Sequence, residues 1–349
     1  MNDLLRQLTE AVGVSGAEKE VRLLIRDLIA DHVDEWWVDA MGNLLATKRG
    51  TGEYDWRVLV DAHMDEVGLM VTEIESGGML KFTAVGGFDD RTLLGKVVQV
   101  GPQHVTGVIG ARAIHLLKSN EYSKTVKVDA MRIDIGAKNK DGAAANVKVG
   151  DYAAFVTAYE EIATAGGRTA IGKAFDNRAG CAALIELLRG ERYPFDLIAS
   201  FSVQEEVGLR GAKIAAYSTR PDVALVLECT PAYDLPNERD ASPNVALGKG
   251  VSVYVMDART IQDPRLVAHI TRTADEQGIP FQIRQPGGGG TNTGAIQRAA
   301  AGVPVATLAV PGRYAHTPAM MISLDDYDSI VRLAETSLRS LTPDILRRG

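Results

Sequence analysis

The 349-residue chain predicts an α/β protein with a mixed central sheet flanked by helices and an inserted β-barrel-like subdomain. Three observations predict it. Before residue 68 and after residue 160, short apolar runs alternate with segments whose apolar residues recur at helical spacing. Residues 69–159 instead hold only short β-type runs between glycine-containing turns. The composition, 46% hydrophobic and 24% charged, is that of a globular protein with a sizeable core. The expected organisation is a discontinuous main domain, 1–68 with 160–349, and an insertion, 69–159, suited to dimerisation or larger assembly.

Leu4, Leu5, Leu8 and Val12 sit at helical spacing, and Gly13-Val14-Ser15-Gly16 ends that helix. Val21, Leu24, Ile25, Leu28 and Ile29 form the apolar face of a second helix, with Glu18 and Glu20 near its start. Residues 38–46 read as a hairpin about a Gly42-Asn43 turn. Arg57-Val58-Leu59-Val60 is a buried-type strand running into Asp61-Ala62-His63-Met64-Asp65-Glu66. The insertion offers six β runs, 69–74, 80–85, 97–100, 105–109, 131–135 and 152–157. Then come a helix at 181–188, a strand at 197–203 and the alanine-rich helix that follows it. Strands at 222–227, 251–256, 279–284 and 303–310 and helices at 263–277, 294–301 and 324–341 complete the chain.

The net charge of -7, with no basic stripe, excludes a phosphate backbone as a natural partner. Cys181 and Cys229 are the only cysteines and lie in no CxxC pair, which points to a reducing compartment. No run approaches the ~20 apolar residues of a membrane span, and residues 1–8 lack the pattern of a signal peptide. A cytoplasmic protein is expected. The run Gly287-Gly288-Gly289-Gly290 lacks the lysine of a phosphate-binding loop and reads as a loop that approaches substrate. His32 and His269 fall in helical stretches and are expected at the surface; His104 falls in a turn, and His115 in the insertion is a candidate interface residue.

Chemistry collects at strand ends, where open α/β sheets bind ligands. His63, Asp65, Asp176, the adjacent Glu205 and Glu206, Glu228 and His316 all fall at or beside such ends. Adjacent buried carboxylates are costly without a cation opposite them. Imidazole and carboxylate donors without thiolates suit zinc, cobalt or manganese, and two such ions commonly share a carboxylate. The expected cofactor is two divalent metal ions per subunit, zinc first.

Seven short motifs in order make the resemblance specific: Gly13-Val14-Ser15-Gly16, Asp39-Ala40-Met41-Gly42-Asn43, Ala62-His63-Met64-Asp65-Glu66, Gly86-Gly87-Phe88-Asp89, Phe175-Asp176-Asn177-Arg178, Gln204-Glu205-Glu206-Val207-Gly208 and Arg313-Tyr314-Ala315-His316. The chain resembles the M42 metallopeptidases, the tetrahedral and glutamyl aminopeptidases, over essentially its whole length. The resemblance implies that Asp176 bridges two metals, that His63 and Glu228 complete one site and Glu206 and His316 the other, and that Glu205 is the general base acting on a metal-bridging hydroxide. It implies that Asp65 orients the ring of His63, and that short peptides are trimmed from their N-terminus within a homo-oligomer, a dodecamer built from dimers. A deacylase or other amide or glycan hydrolase on this scaffold, and a non-catalytic metal-binding assembly protein, are the competing readings. The chain departs from the family at Glu228 and at Asn292, both usually Asp.

Overall fold

The computed structural model describes residues 2–120, 122–164, 167–234 and 245–347. In chain order the helices are α1 Asn2–Glu10, α2 Lys19–Ile29, α3 Lys140–Ala144, α4 Phe175–Arg189, α5 Arg210–Thr219, α6 Pro264–Gln277, α7 Thr293–Gln297 and α8 Leu324–Arg339. The strands are β1 Glu35–Val38, β2 Leu44–Lys48, β3 Arg57–His63, β4 Gly68–Ile74, β5 Leu80–Val85, β6 Val97–Val100, β7 Val105–Gly110, β8 Arg132–Asp134 and β9 Tyr152–Phe155. They continue with β10 Glu160–Thr164, β11 Gly167–Gly172, β12 Asp196–Ser202, β13 Val223–Pro231, β14 Val251–Tyr254, β15 Phe281–Arg284, β16 Val305–Arg313 and β17 Met320–Ser323.

Eleven strands form one mixed sheet in the order β1-β2-β12-β3-β13-β16-β17-β11-β10, with β14 and β15 branching from β16. Its centre is parallel: β12 on β3, β3 on β13, β13 on β16. These strands are apolar on both sides because both faces are covered. Val58, Val60, Leu197, Leu225 and Leu227 point to the large core under α1, α2, α4, α6 and α8, while Leu59, Ile198, Ala224 and Val226 point to the core under α5 and α7. The four parallel strands therefore release their carboxyl ends along one edge.

The β runs between residues 68 and 155 close into a six-stranded barrel, β4-β5-β8-β7-β6-β9, around its own core of Leu69, Val71, Leu80, Val98, Ile109 and Ile133. All six expected runs are strands of this barrel. Closure removes the exposed strand edges that a free sheet would present.

Differences from the sequence reading have local causes. The hairpin β10–β11 and strand β17 were not read as strands. Glu160-Glu161 and Gly167-Arg168 give no clear apolar alternation, and β17 is only four residues long, so these strands are held by pairing with one another and with β16. The span of α4 begins at Phe175, before the expected Cys181, but Asp176 (φ −83°, ψ 100°) and Asn177 (φ −124°, ψ 42°) are non-helical, so Asp176 sits in a kink just ahead of the regular helix. His269 is buried, not at the surface. It sits on the inward stripe of α6 with Leu266, Ile270 and Thr273, and its Nε2 lies 2.9 Å from the Ser337 carbonyl on α8.

Burial lowers the His269 pKa below its ordinary 6.5, against the raising effect of the Ser337 hydrogen bond and with help from Arg272. The unfolded chain thus binds a proton that the folded chain resists, and this part of the stability is lost as pH falls below about 6.5. His269→Gln keeps a donor for Ser337 without the titration. Denaturant melts are expected to show wild type losing more stability than this variant between pH 7 and pH 5; parallel curves would refute the assignment.

Candidate metal centre

His63 ends β3 and pairs in register with Ser202, the last residue of β12. From Ser202 the chain turns through Gln204, at φ 55°, into Glu205 and Glu206. Glu228 stands on β13 opposite Ala309 of β16, and His316, at φ 59°, lies just beyond the end of β16. Asp176 enters from above at the start of α4, next to Ala174 at φ 54°. Non-glycine residues avoid this left-handed region at a cost of order 1 kcal/mol each, and such strain concentrates where a site dictates the backbone.

These placements bring all five expected ligands together. His63 Nε2 lies 3.2 Å from Asp176 Oδ1 and 3.7 Å from Glu228 Oε2. His316 Nε2 lies 3.6 Å from Asp176 Oδ2 and 3.5 Å from Glu206 Oε2. The two oxygens of Asp176 thus face two different histidines. His63, Asp176 and Glu228 form one group of donors within 4.8 Å of one another, and Asp176, Glu206 and His316 form another. A third group, His63, Glu205 and Glu206, places the Glu205 carboxylate against both. The extra methylene of Glu228 does not take its carboxylate away from His63.

The donor set fits divalent cations. It is made of imidazole nitrogens and carboxylate oxygens, it carries a crowd of negative charge, and Glu228 Oε1 is buried with no hydrogen-bond partner. Burial and neighbouring carboxylates hold the carboxyl groups of Glu205, Glu206 and Glu228 well above their ordinary range. Burial alone would lower His63; the surrounding Glu228, Asp176 and Asp65 carboxylates outweigh it and raise its pKa. Burial first, and the neighbouring carboxylates after it, disfavour uncompensated negative charge at the three glutamates, which a cation would relieve.

Asp65 is fully buried and contacts His63, Glu205, Glu206 and Ser15. Its backbone carbonyl lies 3.1 Å from His63 Nδ1, which leaves Nε2 facing the other donors. Its carboxylate lies slightly further, at 3.4 Å, and also accepts from the backbone N–H groups of Glu205 (3.0 Å) and Glu206 (3.2 Å) and from the Ser15 hydroxyl (2.6 Å). Burial pushes the Asp65 carboxyl up, but His63 and these hydrogen bonds leave it below the ordinary value.

The other motifs support the same geometry. Arg178 is wholly buried and donates to the carbonyls of Met64, Leu8 and Ala11, tying the start of α4 to the loop after His63. Lys173 donates to both oxygens of Glu66, which also accepts from Gly13 N. Asn43 accepts from Val203 N and donates to Asp39 and to the Gly211 carbonyl, fixing the end of β12. A Cβ at Gly211 would lie 2.2 Å from Asn43 Oδ1, so only glycine fits there. Asn177, joined to Asp176 by a cis peptide, donates to the Leu227 carbonyl and accepts from Gly180 N. Gly87, from the barrel, approaches His316: a Cβ there would lie 3.5 Å from its Nδ1.

Asn292 does not reach substrate space. It is fully buried and donates to Asp61 Oδ2 and Ser202 Oγ, both at 2.8 Å. An aspartate here would face the buried Asp61 carboxylate, so the amide matches its partner in this chain. The centre opens into a cavity of about 490 Å³ whose far wall is Tyr233, Tyr254, Asp257, Arg284 and the four-glycine loop. Sequence reasoning placed the loop near substrate but singled out neither Tyr254 nor Arg284; ordinary strand residues carry no motif.

Comparison with known proteins agrees with this architecture. The chain is 38% identical over 334 residues to a putative aminopeptidase of Acetivibrio thermocellus, covering 95% of this chain and 97% of that one. A TET aminopeptidase from the marine sediment archaeon Thaumarchaeota archaeon SCGC AB-539-E09 superposes with TM-score 0.92 at 35% identity, over 98% and 97% of the two chains. The Pyrococcus horikoshii TET1 peptidase, described as assembling into a tetrahedron or a large octahedral shell, superposes with TM-score 0.85 at 33% identity, over 97% and 99%. Fold and likeness define an aminopeptidase, a hydrolase of peptide bonds. The model of the M42 glutamyl aminopeptidases matches residues 42–333, and the chain belongs to that family, whose members depend on metal.

Asp65→Ala removes three hydrogen bonds to a buried anion. A stability loss of about 2–4 kcal/mol in the metal-loaded protein and a fall in kcat are expected from urea melts and steady-state kinetics. Wild-type stability with wild-type kcat would show that Asp65 does not position the 205–206 turn.

Proposed function

We propose that the chain is a metal-dependent aminopeptidase that removes N-terminal residues from short peptides, with Glu205 as general base. The observation that supports it best is the position of Asp176, one carboxylate facing His63 on one side and His316 on the other. In this reading His63, Glu228 and Asp176 would hold one divalent cation and Asp176, Glu206 and His316 a second, zinc being favoured and cobalt or manganese compatible with the donors. When bound, the cations supply Lewis acidity and an acidified water.

The chain's own residues do the rest. Asp65 holds the backbone of Glu205 and Glu206, so the two neighbouring side chains keep separate tasks. Glu205 takes a proton from the attacking water at its carboxylate and returns it to the departing amine. Burial favours the protonated form of Glu205, while the His63 charge works the other way.

We also propose a homo-oligomer, a dodecamer built from dimers, with the segment 69–159 as its dimerisation and assembly domain and 1–68 with 160–349 as the catalytic domain. The P. horikoshii shell supports this at the level of fold. A cytoplasmic location agrees with two buried free cysteines, and among the described residues no helix is long and apolar enough to cross a membrane. No nucleic-acid partner is proposed, given the net charge of -7.

Glu205→Gln tests the mechanism. It is expected to retain bound metal by elemental analysis while kcat for aminoacyl anilides drops by on the order of 10²–10⁴. A near wild-type rate would overturn the base assignment. Cleavage of N-acylated substrates in preference to free amino termini would favour the deacylase reading instead.

A further inference from the structure

Glu18 does not do what its place in the chain suggests. It stands at the N-cap of α2 yet makes no side-chain bond to that helix, and it is buried, 5% exposed. Its Oε1 turns back and accepts from two other backbone N–H groups. One is Gly16, at 2.7 Å; the other is Gln204, at 3.2 Å and 186 residues further along the chain. Gln204 sits at φ 55° and directly precedes Glu205.

The segment that carries Glu205 and Glu206 hangs from side chains rather than from a neighbouring strand. Strand β12 ends at Ser202, and the next four backbone N–H groups all donate to side-chain oxygens. Val203 donates to Asn43 at 2.9 Å, Gln204 to Glu18, and Glu205 and Glu206 to Asp65 at 3.0 and 3.2 Å. Its carbonyls are met from the turn itself: Gly211 N donates to Val203, Arg210 N to Gln204, and Gly208 N and Leu209 N to Glu205. A backbone N–H turned out of a ladder inside a protein needs an acceptor, and Glu18 supplies it for Gln204. Ser15, three residues before Glu18, donates to Asp65 Oδ2 at 2.6 Å. The N-terminal segment 13–18 therefore supports the turn twice, directly through Glu18 and indirectly through Asp65.

The two glutamates depend on this support to different degrees. Glu206 is fixed at its N–H by Asp65 and, in the metal-loaded protein, at its carboxylate by the cation it would hold. Glu205 is no ligand in that reading and takes its direction from the backbone, so turning the peptide before it swings its side chain. Misplacing a reacting group by about 1 Å costs on the order of 100-fold in rate. We propose that Glu18 is a positioning residue for the reaction: by accepting from the Gln204 N–H it fixes the backbone that aims the Glu205 carboxylate. This rests on the aminopeptidase reading above, with Glu205 as its base, and adds the N-terminal segment to the machinery. Burial, against the Gly16 hydrogen bond, holds the Glu18 carboxyl above its ordinary range, so an uncharged acceptor of the same length offers Gln204 the same bond.

The test compares metal-loaded wild type, Glu18→Gln, which keeps the acceptor, Glu18→Asp, which draws it back by one methylene, and the double variant Glu18→Asp with Glu205→Gln. On the aminoacyl 4-nitroanilide that wild type turns over best, Glu18→Asp is expected to lower kcat by about 10–100-fold. Its KM should stay within about threefold, and its bound metal should be unchanged by elemental analysis. Glu18→Gln should stay within about threefold of wild type in both constants. In the Glu205→Gln background, Glu18→Asp should cost less than about threefold more, because a group that acts through Glu205 has nothing left to aim. Hydrogen exchange read by mass spectrometry needs no turnover: the amides of residues 203–206 should exchange faster in Glu18→Asp than in wild type or Glu18→Gln. Wild-type kcat or wild-type exchange in Glu18→Asp, a rise in KM alone, loss of metal, or losses that multiply in full in the double variant would overturn the proposal. A Glu205→Gln enzyme at the wild-type rate would overturn the base assignment and this proposal with it, whereas multiplying losses overturn this proposal alone. If no anilide is cleaved, the aminopeptidase reading fails, and the exchange rates alone decide whether Glu18 holds the turn.

Discussion

Negative charge crowded into a buried space is the constraint on which the rest of this structure depends. Asp176, Glu205, Glu206 and Glu228 converge on two histidines at the carboxyl edge of a parallel sheet, with Asp65 directly beneath. Without a counter-charge such a cluster would take up protons, as the raised carboxyl groups of Glu205, Glu206 and Glu228 indicate. Four parallel strands, both faces covered, provide the rigid edge that keeps these groups from relaxing apart.

Around that cluster lies a shell of fully satisfied polar contacts. Ser15, Asp65, Glu66, Lys173 and Arg178 bind the N-terminal segment, the turn after β3 and the start of α4 into one buried network. Asp39 and Asn43 do the same for the end of β12. Breaking one charged member of such a network strands its partners, which costs several kcal/mol. Glu228 and Arg284, both lining the cavity, differ from this shell: Glu228 Oε1 and Arg284 Nε and Nη1 are buried without a hydrogen-bond partner.

Much of this was legible in the sequence for physical reasons. Apolar strands that end in His or paired Glu advertise a site because open sheets bind at those ends, and the six barrel runs were readable because glycine turns separate them cleanly. What stayed hidden had no local signal. Polar edge strands such as β10 depend on pairing rather than on pattern, and buried His269 depends on which face of α6 meets α8. The partner of Asn292 is 231 residues away at Asp61. Asp65 is expected from the sequence to orient the His63 ring; the fold adds that its carboxylate also accepts from the backbone of Glu205 and Glu206.

The central claim is that the acid cluster is built around two cations sharing Asp176. Equilibrium metal titration followed by elemental analysis tests it most directly. Wild type should bind two zinc ions per chain, Glu206→Gln should lose one with little effect on the other, and Asp176→Asn should weaken both. An Asp176→Asn protein that still binds two ions with wild-type affinity would contradict the account.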